Sequence, residues 1–94
     1  MARIRRSSKL DDQQLIDLYI DQDVDRYSGG RADARLRDSG VSVWAIVSFL
    51  KVYEGIASKV AEHFDMKPVE VEAALAYYRL NKARVDARVA LNEA

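Results

Sequence analysis

Residues 56–79, IASKVAEHFDMKPVEVEAALAYYR, constrain the fold more than any other stretch. Two short helical patterns meet at Asp65-Met66-Lys67, and Pro68 opens the second. Proline suits a first helical turn, because its missing N–H would be unpaired there anyway. Ala61 falls where two helices must approach closely. Met66 follows the turn, and Val71 and Ala74 face back toward a core. This spacing predicts a helix-turn-helix in shape. Asp65 stands where such turns usually carry glycine.

The preceding segment, VSVWAIVSFLKVYEG at 41–55, is apolar around nearly its whole circumference, as expected of a helix buried on more than one side. The pattern predicts the central core helix from Ser39 or Ser42 to Lys51, with Ser42 as cap and Gly55 as breaker. Trp44, the only tryptophan, is expected as a core anchor.

Upstream, Leu10 to Ile20 place apolar residues at 10, 15, 16, 18, 19 and 20. Asp11 and Asp12 stand where a helix dipole favours negative charge, and Ser8 is a candidate cap. A short helix at 11–20 is predicted, although Leu18–Asp21 also suits an extended ending. Residues 21–40 hold three of the four glycines, Gly29, Gly30 and Gly40. They form a long connection with turns at 28–30 and 38–40. Such length predicts some structure of its own, with a strand pair, or a strand exchanged with a partner chain, at Ala34–Arg37.

Beyond Pro68 no breaker occurs, so one helix is expected from 68 to about 92. Its last part, residues 80–94, would protrude from the compact unit. That tail has two apolar stripes, Leu80, Ala83, Ala87 and Leu91 on one side and Val85 and Val89 on the other. Two stripes on a protruding helix predict contact with another molecule.

The predicted class is therefore all-α. It comprises a small helix-turn-helix bundle with a short N-terminal helix, an irregular 21–40 loop and a long C-terminal helix. Ninety-four residues supply one domain with a modest core. Residues 10–94 form that domain, and residues 1–9 form a flexible basic arm carrying Arg3, Arg5, Arg6 and Lys9. Fifteen basic and fifteen acidic residues cancel, unlike the basic excess of a dedicated nucleic-acid binder. With no cysteine, neither disulfides nor thiolate metal sites are possible. No apolar run reaches a membrane span. The N-terminus lacks the apolar stretch of a secretory signal, so a cytoplasmic location and no membrane partner are expected.

No catalytic constellation is present, and no enzyme activity, metal or cofactor is expected. His63, the single histidine, has no second His or Cys with which to share a metal. The aspartates of 11–25 lack the order of a calcium loop.

The runs GVSVWAIVSFL and VAEHFDMKPVEVEAALAYYR resemble the small bacterial family known as domain of unknown function 433. That family carries a Val-Trp helix followed by a helix-turn-helix ending in Ala-Leu-x-Tyr-Tyr. The likeness covers residues 41–80, and Ala74–Tyr78 is its most specific piece. The chain departs from the pattern over Gly30–Val43, with Ala32 for a proline, Asp38 for a glycine, Ser39 for a threonine, Gly40 for an arginine and Ser42 for a second proline. The resemblance implies a VapB-type antitoxin paired with a PIN-like ribonuclease toxin.

A PIN-type nuclease gathers carboxylates around a metal, so its inhibitor needs a cation. Arg84 and Arg88, one turn apart, are the first candidates. Arg35 and Arg37 on the loop are the second. Val85, Val89 and Leu91 would supply apolar partner contacts, and a homodimer is expected. The alternative is a DNA-binding repressor on promoter DNA. Lys67, Pro68, Val69, Glu70, Glu72 and Ala73 would then meet base edges, with only Lys67 able to donate to guanine. Arg3, Arg5 and Arg6 would supply phosphate attraction. A self-assembly module is a third reading.

Overall fold

The computed structural model describes residues 10–22 and 30–93. The basic arm with Arg3, Arg5, Arg6 and Lys9, the candidate cap Ser8 and the 28–29 part of the first turn lie outside the described residues. The fold is all-α apart from one minimal strand pair.

Asp11 begins the first helix, α1 (Asp12–Tyr19). Its Oδ1 accepts from the Gln14 N–H at 2.8 Å, while Gln14 Oε1 accepts from the Asp11 N–H at 2.9 Å. Each side chain thereby satisfies an amide that the helix ladder leaves unpaired. Leu15 and Ile16 turn inward. The chain then becomes extended, as β-branched Ile20 favours. Strand β1 (Ile20–Asp21) pairs antiparallel with β2 (Arg35–Leu36) in the register Ile20 to Leu36 and Asp21 to Arg35. The strand expected at 34–37 thus pairs within its own chain. Between the strands, a 3-10 turn at Gly30–Asp33 leads into β2. Gly40, at φ +76°, closes the turn after it, where its N–H donates to Leu36 O at 2.9 Å.

Helix α2 spans Val43–Val52. Ser42 occupies its N-cap, but its side chain makes no capping bond. The helix ends in a left-handed turn in which Glu54 (φ 57°) and Gly55 (φ 82°) reverse the chain, and the Gly55 N–H reaches Leu50 O at 2.7 Å.

Helices α3 (Ala57–Phe64) and α4 (Pro68–Leu80) form the expected helix-turn-helix. Asp65 itself adopts the left-handed conformation, φ 54° and ψ 51°. The Met66 N–H then closes on Ala61 O at 2.9 Å, the six-to-one bond of a helix end. Aspartate tolerates this region better than most side chains, which explains how the turn forms without glycine. At the start of α4, Glu70 Oε1 accepts the Lys67 N–H at 2.9 Å.

Two expectations are corrected. The central helix is α4, which packs against α1, α2, α3, β1 and the C-terminal helix. Val71, Ala73, Ala74, Ala76 and Tyr77 are buried in it, and its alanines let these five neighbours approach. Helix α2 is only half covered, with Trp44, Phe49 and Leu50 partly exposed and Val52 67% exposed.

Nor does α4 run on to residue 92. Asn81 leaves the helical region at φ −133°, ψ 36°, and α5 (Lys82–Glu93) folds back onto α2 and the 3-10 turn. Over its described part, the 80–94 tail is therefore no protruding extension. The cause is tertiary. A straight helix would leave Val85 and Val89 in water, whereas both are now buried. Burying each gains roughly 1.5–3 kcal/mol, against about 1 kcal/mol per helical hydrogen bond given up. At the break itself Asn81 adds a bond of its own, Nδ2 donating at 3.1 Å to Tyr77 O, which the Asn81 backbone N–H also reaches at 3.0 Å.

Candidate binding surfaces

The reversal at Asn81 sorts the two stripes of the tail. Val85 and Val89 face α2, so both are core residues and neither is available to a partner. Leu80, Ala83, Ala87 and Leu91 face outward, and the two leucines are 58% and 71% exposed. Arg84 lies exposed beside this stripe and makes no hydrogen bond or ion pair among the described residues.

Arg88 is committed to its own chain. Its Nε donates to Asp33 Oδ1 at 3.1 Å, and its guanidinium lies 4.5 Å from the centre of the Trp44 ring. The partners are 28% and 9% exposed, so this pair is largely shielded from water. It ties α5 to the 3-10 turn and α2, and it does not stand beside Arg84 as a second cation. Trp44 accordingly packs on the core edge as a partly buried cap, its indole N–H without an acceptor among the described residues.

A second network spans the reversal. Tyr78 Oη donates to Asp86 Oδ1 at 2.6 Å, and Lys82 Nζ reaches Asp86 Oδ2 at 2.8 Å. The Lys82 bond, then the Tyr78 bond, holds the Asp86 carboxyl below its ordinary range. Reciprocally, the Asp86 hydrogen bond raises both Tyr78 and Lys82. On the far side of α4, Arg79 grips both Asp12 oxygens at 2.9 and 2.7 Å, pinning the start of α1. That hydrogen bonding lowers Asp12 and raises Arg79.

The loop arginines are structural in part. Arg37 Nη2 donates to Asp17 O at 3.3 Å, and Arg35 Nη1 approaches Gly40 O at 3.5 Å. The face expected to read bases is half withdrawn. Glu70 and Ala73 are buried and Val69 is partly covered, leaving Lys67, Pro68 and Glu72 exposed. His63 stands in an aromatic cluster: its ring stacks on Phe49 at 4.2 Å, meets Phe64 edge-on, and places Nδ1 3.1 Å from Tyr53 Oη. Among the described residues, no three His, Asp or Glu side chains converge on a metal position.

The sequence reading missed an apolar groove of about 320 Å³ between α2 and α4, floored by Val47, Leu50, Leu75 and Tyr78 and rimmed by Lys51 and Glu54. Leu75 also lines a more polar depression of about 310 Å³ between α1 and α4, with Asp12, Glu72 and Arg79. The signal for it was the mixed set Glu72, Leu75 and Arg79, at the three- and four-residue spacing of one helix face. No helix among the described residues is long and apolar enough to cross a membrane. No family model matches this chain, and neither a curated protein nor a solved structure is similar to it, so the likeness of residues 41–80 to the domain 433 family rests on the quoted motifs alone.

Proposed function

We propose that this protein is a non-catalytic, cytoplasmic binding subunit of the antitoxin kind, which neutralises a PIN-like ribonuclease by covering its acidic active site. The observation that carries this reading is the outer face of α5. Ala83, Ala87 and Leu91 form an apolar stripe exposed among the described residues, Leu80 lies exposed at the end of α4 across the break, and Arg84 stands along the stripe's edge. Alanines at the middle of the stripe permit a close helix approach, and the end leucines supply anchors. An arginine beside them is the cation that a cluster of metal-binding carboxylates would attract. Arg88, Val85 and Val89 drop out of this role because the fold uses them.

The DNA-binding alternative has less support. Of the six residues at the start of α4 that would meet bases, three are exposed, and Glu72 among them would repel phosphate. A promoter fragment should show no mobility shift even at low salt.

The test is co-expression with the product of the neighbouring gene. Wild-type protein should co-purify with it and suppress its ribonuclease activity. The double variant Ala87→Glu/Leu91→Glu should lose both while keeping its helical circular dichroism. An undiminished complex would remove the α5 face from consideration, and a wild-type chain that neither binds nor inhibits would overturn the antitoxin reading.

A further inference from the structure

The junction between α4 and α5 is a single residue. Helix α4 ends at Leu80, α5 begins at Lys82, and the helical ladder resumes when Val85 N–H reaches Asn81 O at 3.0 Å. No glycine or proline enforces the break. Leu80, Lys82, Ala83 and Arg84 around it are all good helix formers, so apart from Asn81, a weaker one, the local sequence favours continuity and tertiary contact imposes the turn. Apart from the Tyr78–Asp86 bond across the hinge, the contacts that hold α5 in place lie beyond the junction: buried Val85 and Val89, the Arg88 bond to Asp33, and Arg88 over Trp44. None of them needs α5 to come from the same chain as the surface that receives it.

We propose that α5 is an exchangeable arm, and that the surface formed by α2 and the 3-10 turn receives the α5 of a second copy. Straightening at Asn81 fuses Pro68–Glu93 into one helix about 39 Å long, at 1.5 Å per residue. The straightened helix carries Val85, Arg88 and Val89 away from its own body. Two such chains satisfy each other reciprocally, which closes the assembly as a twofold dimer rather than an open chain. Each copy recovers the two valines and the Arg88–Asp33 pair and gains the helical hydrogen bonds that the turn forgoes. The folded-back monomer prevails at low concentration because its own arm is always close at hand. The contacts on the hinge side, Tyr78 with Asp86, are the ones a straight helix gives up, since eight residues along a helix separate the two groups by about 12 Å. Exchange of the arm does not depend on which outside partner the protein binds.

Charge reversal gives a selective test. In Asp33→Arg, and in Arg88→Asp, the arm and its receiving surface carry like charges, whether the arm docks in the same chain or in an identical copy. Mixed, the two variants can form a heterodimer in which both docked arms are matched. The body of the Asp33→Arg chain, now basic, takes the arm of the Arg88→Asp chain, now acidic. The body of the Arg88→Asp chain keeps its native Asp33 and takes the native Arg88 arm of the other. Co-refolding of differently tagged variants at high micromolar concentration, followed by light scattering and double-tag capture, should give a species of twice the monomer mass that carries both tags. Two helical variants that stay monomeric on mixing overturn the proposal. If either variant alone loses its helicity, the hinge series on the otherwise native chain decides. Asn81→Ala should raise the dimerisation constant on the order of tenfold, because two hinges each gain the Ala-over-Asn helix preference, and Asn81→Gly should lower it. A dimerisation constant unmoved by both overturns the proposal.

Discussion

The sharpest test of this fold is the substitution Val85→Ala. The side chain is fully buried between α5 and the body of the molecule. Truncation removes two methyl groups, worth about 0.8 kcal/mol each in transfer free energy. The space they leave, roughly 40 Å³ before relaxation, adds about 1 kcal/mol at about 24 cal/mol per Å³. The expected loss is therefore about 2–3 kcal/mol, or a fall of roughly 10–20 °C in Tm for a domain of this size. Had α5 protruded, the sign would reverse, since alanine forms helix better than valine by about 0.5 kcal/mol. Urea unfolding followed by far-ultraviolet circular dichroism reads the difference directly, with an unchanged slope showing that only stability has moved. Leu91→Ala, on the outer face, is the control and should stay within about 0.5 kcal/mol of wild type. A Val85→Ala variant as stable as wild type would refute the folded-back placement of α5.

Further outcomes follow from particular contacts and from one backbone position. A double-mutant cycle on Asp33→Asn and Arg88→Gln should return a coupling of about 1–2 kcal/mol, because the pair is charge-assisted and shielded; a coupling near zero would leave α5 to the valines, the Arg88–Trp44 contact and the Tyr78–Asp86 bond. Asp86 and Asp12 have carboxyls lowered from the ordinary 3.8, so their contributions are complete above that value and vanish as pH falls through the lowered ones; Asp86→Asn should flatten the acid limb of a stability–pH curve. Tyr78 and Lys82, raised from 10.0 and 10.5, act in the opposite sense, contributing fully below those values and losing it as pH rises through the raised ones. Asp65→Gly should stabilise by up to about 1 kcal/mol in thermal melts, since the position is left-handed, while Asp65→Val should destabilise.

Local signals reported local structure faithfully. Pro68 marked the start of α4, Gly40 and Gly55 marked turns, and the double character of Leu18–Asp21 resolved into a helix that becomes a strand at Ile20. The break at Asn81 was not legible, because nothing between Leu80 and Arg84 forbids helix. It exists only because α2 and the 3-10 turn offer a surface for Val85 and Val89. The central place of α4 was hidden for a related reason. Alanine scores as weakly apolar, yet Ala73, Ala74 and Ala76 are what allow several neighbours to close around one helix. The all-round apolar α2 looked more central and ended half exposed. As for the candidate site, the sequence located both stripes and both tail arginines. The choice between them required knowing which way α5 turns.

That choice has a physical logic. Valine is stiff, and in a helix it is held close to one rotamer, so Val85 and Val89 can be buried with little further loss of side-chain entropy. The opposite stripe sets short Ala83 and Ala87 before long Leu91 on α5, with Leu80 exposed across the break at the end of α4. Two alanines at four-residue spacing let a crossing helix approach closely. Arg84 sits beside them, while Arg88 is turned inward toward Asp33 and Trp44. One cation rather than two is then available at this edge. A partner-binding defect should therefore follow Arg84→Glu, whereas Arg88→Glu should first appear as a loss of stability. If both substitutions weakened binding equally at unchanged stability, Arg88 would have to leave Asp33 on binding, and the division between scaffold and surface drawn along α5 would be wrong.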